Sequence, residues 1–303
     1  MNKKVVITGA TGLIGKKIVN RLVERGDEVT VFTRSVDKAK VWVSNAAYYV
    51  NWNIASEEWY QNLDGKDVVI HLSGESLIAK RWSSKQKKII HDSRILSTKA
   101  LVSAINELSI KPKLFVSASA VGYYGNSETE VDETYPTGKG FLAEVVHDWE
   151  MASEALNESG VRRVAVRIGV VLDKKEGALA KMILPYKFFM GGPLGSGRQW
   201  MPWIHINDLV NLFIFAIENE NAEGIINGVS PNPIRMNEFA KALGSVLKRP
   251  SLLQVPAFIL KLILGEASST VLEGAKVVPT KALNYGFNFE YKDIQTALRD
   301  LLK

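Results

Sequence analysis

Two hydrophobic periods alternate along the chain. Unbroken apolar runs, Val5-Val6-Ile7, Val29 to Phe32, Val68-Val69-Ile70 and Leu114-Phe115-Val116, read as strands covered on both faces. Between them apolar residues recur at helical spacing. Leu13, Ile14 and Ile18 open a first helix that runs to about Glu24, and Ile89, Ile90, Leu96, Leu101, Ala104 and Ile105 mark a long one from Ser83 to Glu107. The pattern predicts strands at Glu28–Thr33, Tyr48–Trp52, Asp67–Leu72, Lys113–Ser119 and Arg162–Leu172, with a helix over Phe141–Glu158 before the last. The stretch from Ala120 through Pro136 and Gly138 reads as a loop. Regular strand–helix alternation implies right-handed βαβ units on a parallel sheet. The expected fold class is α/β, a Rossmann-type doubly wound parallel sheet with a smaller, mostly helical C-terminal cap.

Beyond Asp173 the pattern changes. A helix over Ala178–Met190 leads into a glycine-rich loop, Gly191 to Gly197, flanked by Trp200, Met201 and Trp203. An apolar helix to about Glu218 and a strand over Gly224–Val229 follow, then short helical patterns around Phe239, Phe258, Val271 and Leu283. The division expected is a core of residues 1–172 and 204–229, with residues 173–203 and 230–303 as a substrate-side cap.

Composition narrows the possibilities little. The 303 residues are 46% hydrophobic and 23% charged. The longest apolar runs, such as Phe258–Leu264, are far too short to span a bilayer, and no targeting segment is expected. No membrane partner and a cytoplasmic location are expected. The absence of cysteine excludes disulfides and thiol chemistry. The net charge of +6 is dispersed, and the run Lys85-Gln86-Lys87-Lys88 lacks the aromatic or arginine stripe of a nucleic-acid site, so no nucleic-acid partner is expected. His71, His91, His147 and His205 have no ligand-like spacing, and no metal site is expected.

The chemistry begins at the first strand–helix junction. Gly9, Gly12 and Gly15 are spaced three apart between strand and helix, the context of a dinucleotide fingerprint. The first glycine makes a sharp turn, the second admits a pyrophosphate, and the third lets the helix pack on the strand. The helix N-terminus then faces the phosphates. At the end of the second strand an NAD-binding chain carries an acid for the ribose hydroxyl. Here the place holds Thr33-Arg34, and a guanidinium suits a 2′-phosphate, so NADP(H) is expected.

Several motifs in order carry a resemblance to a known family. They include TGATGLIG at 8–15, HLSG at 71–74, GES at 74–76, KRW at 80–82, DSRI at 92–95, SASAVGYYG at 117–125, VRIGVVLD at 166–173, GGPLGSGRQW at 191–200, IHINDL at 204–209 and PNP at 231–233. Together they resemble an atypical extended short-chain dehydrogenase/reductase, the epimerase-family (nucleoside-diphosphate-sugar-epimerase-like) proteins, across nearly the whole chain. The resemblance implies cofactor contacts from Gly9, Thr11, Gly12, Leu13, Ile14 and Gly15, from Thr33 and Arg34, and from Leu72, Ser73, Gly74, Ser117 and Ala118. The superfamily's proton-transfer pair, Tyr-x-x-x-Lys, would fall on Leu142 and Val146, counting back from Glu150, and neither moves a proton. Tyr135 and Lys139 have the spacing, but Pro136 and Gly138 interrupt it.

The catalytic candidates that remain are Ser119, Tyr123, Tyr124 and Glu144. Ser119 matches the family serine, the tyrosines lie just beyond it, and Glu144 is near the vacated tyrosine position. Glu75, Lys80, Arg81, Trp82 and Arg94 form the family-specific set after the fourth strand. These arginines suit an anionic substrate, or else an ion-pair network. Trp200 would wall the nicotinamide or pack the cap. Two functions follow: an NADP(H)-dependent oxidoreductase or epimerase-like enzyme on a small polar carbonyl or hydroxyl compound, acting as monomer or homodimer, or an NADP(H)-binding redox sensor or interaction protein with little turnover.

Overall fold

The computed structural model describes residues 2–303. Seven parallel strands form the central sheet: β1 (Lys4–Thr8), β2 (Glu28–Thr33), β3 (Tyr48–Asn51), β4 (Val68–His71), β5 (Leu114–Ala120), β6 (Arg162–Ile168) and β7 (Gly224–Gly228). Their order, β7-β6-β5-β4-β1-β2-β3, reverses direction of growth at β1. A ligand crevice opens at such a switch point, outside the strands' C-terminal ends. Val5, Val6 and Ile7 are fully buried because both faces of the sheet are covered.

On one face pack α1 (Leu13–Glu24) and, from the later part of the chain, α6 (Ile206–Glu218). On the other, α3 (Ser84–Glu107) lies over Val6, Val69 and Phe115, with Trp52, Trp59 and Leu63 extending that layer. The intervening helices are α2 (Val36–Trp42), α4 (Phe141–Met151) and α5 (Gly177–Lys187). Ser83 caps α3 by accepting the Gln86 amide, as its place before the apolar stripe predicts.

The strand expected over Arg162–Leu172 is two strands. β6 ends at Ile168, and Val170–Leu172 turns away to pair with Trp203–His205. Gly169 makes the fork. Its amide bonds Gly228 in the sheet, the next amide bonds Pro202, and a Cβ on Gly169 would lie 2.5 Å from the Pro202 carbonyl oxygen. The helix expected to reach Glu158 stops at Met151 and continues as a 3₁₀ segment over Glu154–Ser159. The stretch read as loop contains a strand, Ser127–Val131, paired with Ala275–Val277.

The C-terminal part has its own core. Leu172, Leu179, Ile183, Met201 and Trp203 meet Phe239 and Leu243 of α7 (Met236–Leu247) and Ala297 and Leu298 of the last helix. Ala282, Phe287 and Phe289, late in the chain, return to the main core beside α6. The motif at 204–209 makes this join. His205 caps α6 by accepting the Asn207 amide, and both oxygens of Asp208 accept amides, from Glu290 and Tyr291. The glycine-rich loop is a packing device. Gly191 and Leu194 bridge to Ser251 and Val255, and a Cβ on Gly192 would lie 2.2 Å from the Leu253 carbonyl oxygen.

Candidate functional site

The turn between β1 and α1 has the shape of a phosphate cradle. Gly9 takes φ of +70°, and a Cβ there would sit 2.8 Å from the Leu72 carbonyl group. A Cβ on Gly15 would lie 2.3 Å from the Gly9 oxygen, so helix and turn meet backbone to backbone. Thr11 and Gly12 are exposed. The α1 N-terminus has no side-chain cap and no acid in its first turn, which leaves its amides free for an anion. Leu13 and Ile14 are half-buried behind it.

Beyond β2, the Ser35 amide bonds the Thr33 hydroxyl, while Arg34 is exposed. At the ends of β4 and β5, Leu72 and Ser73 are half-buried, Gly74 is exposed, and Ser117 and Ala118 are buried. A hydrogen-bond chain ties the ends of β1 and β4 to α3. Ser97 donates to the Ser93 carbonyl and so accepts from His71 Nε2 at 3.2 Å, and His71 Nδ1 then accepts from Thr8 at 2.7 Å. Burial pushes the His71 imidazole down to about 3, so it stays neutral.

The catalytic candidates separate by environment. Ser119 is buried and donates to Glu150 Oε1 at 2.5 Å. Glu150 takes a two-pronged grip from Arg167, both bonds at 2.8 Å. Arg167 donates onward to the Tyr124 hydroxyl at 2.9 Å, and Tyr124 donates to Asn227 at 2.8 Å. Glu133 closes the chain by accepting the Asn227 and Lys281 amides. Burial alone would lower the Arg167 guanidinium, but the Glu150 bonds and charge more than reverse this and hold it above its ordinary value. Burial pushes Tyr124 up to about 12 against the pull of Arg167, so its phenol keeps its proton. Glu144 is exposed on α4, two positions from both Leu142 and Val146 and so on the side of the helix turned from Gly122, where they pack.

Tyr123 stands apart. It is half-buried, and its ring lies on the Arg167 guanidinium, 3.4 Å from centroid to carbon. Among the described residues its hydroxyl takes no part in the Glu150–Arg167 chain. Where the superfamily pair would stand, Leu142 and Val146 pack on the turn at Gly122. A Cβ there would be 3.3 Å from Leu142 and 3.9 Å from Val146.

The set after β4 braces the structure. Arg94 donates to the carbonyls of Ile90 and Glu75, stacks on Trp149 at 5.2 Å, and lies against Gly74. Burial pushes it down to about 10, with Glu75 opposing. Trp82 is buried against Ile90, Phe141, Val145 and Ala267, and its indole donates to Leu77. Arg81 donates to the Leu262 carbonyl, while Glu75 is half-buried and Lys80 exposed. Trp200 is clasped between Arg235 and Lys276, at 4.1 and 5.7 Å. Glu150, Asn227 and Glu133 carried no role in the sequence. Glu150 alone had a legible signal, an acid in the stripe Ala143, Val146, Trp149 that faces the core.

The strand order, the switch-point crevice and the glycine cradle define a dinucleotide-binding protein of the Rossmann type. The chain belongs to the NAD dependent epimerase/dehydratase family, whose model matches residues 5–227, and residues 255–301 match a domain of unknown function (DUF1731). It is 48% identical to "Epimerase family protein SDR39U1 homolog, chloroplastic" of Arabidopsis thaliana, over 99% of this chain and 86% of the relative. It is 41% identical to "Epimerase family protein SH2119" of Staphylococcus haemolyticus, over 99% of both. A crystal structure of human epimerase family protein SDR39U1 (isoform 2) with NADPH superposes with a TM-score of 0.88 at 32% identity, covering 98% of each chain.

Proposed function

We propose that this chain binds NADP(H) and uses it to reduce or epimerise a small polar carbonyl or hydroxyl compound. The observation that carries the reading is Arg34, an exposed cation at the end of β2 where a carboxylate would select NAD. The human relative crystallised with NADPH supports it. The cradle residues fit the pyrophosphate, because the backbone at Gly9 and Gly15 leaves no room for a side chain, Gly12 is exposed, and the α1 N-terminus presents free amides. Thr33 and Arg34 would hold the 2′-phosphate end, and Leu72, Ser73, Gly74, Ser117 and Ala118 would line the path toward the nicotinamide.

Bound there, the nicotinamide supplies or takes a hydride. The protein must move the accompanying proton. Ser119 and Tyr124 are committed to the buried chain, and Glu144 lies on the outer side of its helix, so Tyr123, half-buried with its ring on the Arg167 guanidinium, is the proton-transfer group. Arg81, Trp82 and Arg94 act as braces of the crevice wall in this reading, not as substrate contacts.

A second reading, an NADP(H)-binding sensor with little turnover, draws on Leu142 and Val146 filling the superfamily's proton-transfer positions. Single-turnover oxidation of bound NADPH across a carbonyl library separates the two. The enzyme reading expects turnover that falls about 100-fold or more in Tyr123→Phe, the scale of a lost acid–base group. No hydride transfer to any compound, with tight NADPH binding, would leave the sensor.

A further inference from the structure

The helix α8 (Ala257–Leu264) is apolar and lacks a partner. Its sequence is AFILKLIL, yet only Leu260 is buried. Phe258 is 69% exposed, Leu262 71% and Ile263 62%. Phe258 and Leu262 are one turn apart and share a helix face. The exposure continues into neighbouring segments. Leu252 and Leu253 precede the helix, and the Leu253 amide bonds the Gly191 carbonyl, so this stretch runs beside the loop after α5. There Leu184, Phe188, Phe189 and Met190 are also exposed. A cavity of about 190 Å³ opens between the two segments, walled by Met182, Met190, Leu194 and Val255 with Lys181 at its edge. A soluble monomer rarely shows so continuous an apolar surface without a use for it.

Charge identifies the occupant. No aspartate or glutamate occurs between Gly177 and Asn207, or between Phe239 and Gly265. Those segments carry Lys181, Lys187, Lys248, Arg249 and Lys261, all exposed. Arg249 lies over the Phe189 ring at 4.6 Å, a cation beside an outward-facing aromatic. Lys261 flanks the Phe258–Leu262 face on α8 itself. A second copy of the same face would set these cations against one another. An apolar face rimmed by cations, whose nearest acid in sequence, Glu266, is ion-paired with Lys87, matches an anionic lipid surface, where acyl chains take the side chains and headgroup phosphates take the ammonium and guanidinium groups. No helix is long and apolar enough to cross a membrane, so the contact lies in the plane of the interface.

We propose that this C-terminal face docks the protein on anionic lipid bilayers, with α8 and the Phe188–Met190 turn inserted among the headgroups. The inference stands apart from the cofactor reading, since none of these residues lines the cradle. The test is co-sedimentation of the full chain with vesicles of phosphatidylglycerol and phosphatidylcholine, or of phosphatidylcholine alone. Binding to the mixed vesicles is expected, with little to the neutral ones and a large loss as salt shortens the screening length from about 10 Å to about 3 Å. Phe258→Ser/Leu262→Ser leaves the charge unchanged and should lose binding about tenfold or more, as should Lys187→Glu/Lys261→Glu. Lys113→Glu, at the opposite end of the sheet, should bind like wild type. Circular dichroism melts check that each variant folds. Equal binding by wild type and Phe258→Ser/Leu262→Ser would reduce the effect to net charge and overturn the proposal. So would absence of vesicle binding, whether an acidic protein covers the face or light scattering shows a dimer that the serine variant breaks.

Discussion

Arg34 and Glu150 show how differently one charged residue can be placed. Arg34 is exposed, so its use lies in what it meets. Arg34→Ala should weaken NADPH about 10- to 100-fold, the scale of a lost charge-assisted hydrogen bond, and leave NADH nearly unchanged. Titrating both nucleotides against tryptophan fluorescence checks this, and a wild type that binds NADH as well as NADPH refutes the assignment. Arg34 was legible in the sequence because a position after a strand needs no tertiary information. Glu150 was not, because its partners arrive from elsewhere in the chain: Ser119 from β5 and Arg167 from β6. Its carboxylate is the only counter-charge the buried guanidinium contacts in an ion pair among the described residues. Glu150→Ala leaves Arg167 uncompensated and should cost about 3–5 kcal/mol in urea unfolding. A loss under about 1 kcal/mol would show that water reaches the pair.

The elements the sequence pattern located well are those buried on both faces, where an apolar run has no other reading. The Ser127–Val131 strand escaped because its middle residues are exposed and polar and its partner, Ala275–Val277, lies far along the chain. The fork at Gly169 escaped for a different reason. Val170 to Leu172 continue the apolar pattern of β6, and only the close approach of Pro202 shows that the chain has changed partners. Gly169→Ala places a methyl 2.5 Å from the Pro202 oxygen and 2.8 Å from Val229. It should destabilise by about 1–3 kcal/mol through overpacking, read as a lower urea midpoint with unchanged slope. A neutral outcome would mean the two arms part more freely than their hydrogen bonds imply. Trp82 and Arg94 show the converse limit, because their motif left substrate contact and structural bracing both open. Only the fold shows that their side chains reach Leu77, Ile90, Glu75 and Trp149.

At the scale of the whole molecule, two buried histidines fasten different parts: His71 ties β1, β4 and α3, and His205 starts α6 and stacks on Tyr291 at 3.7 Å. Burial lowers them to about 3 and about 4, the latter opposed by Asp300. In the unfolded chain both titrate near 6.5, so the unfolded state takes up protons first as pH falls. Their stability contribution is complete above about pH 6.5 and is lost progressively down to about pH 4 for His205 and about pH 3 for His71. The decline between pH 7 and 5 should be on the order of 2–4 kcal/mol, and His71→Gln should make it shallower. Identical pH slopes for wild type and variant in urea unfolding would rule His71 out as the source. The fork at Gly169 has a mechanical consequence at this scale. Its arms are pinned on both sides: Gly169 to Gly228, Val170 to Pro202 at 2.6 Å, and Ser230 to Trp203 at 2.6 Å. That side of the crevice is therefore an anvil. Any grip on a ligand must then come from elsewhere, and the Glu75–Trp82 loop after β4, tied to the C-terminal segment by the Arg81–Leu262 bond, is the natural source. A ligand that tightens this protein should slow amide exchange in that loop while leaving exchange at Gly169 and Val170 as slow as before.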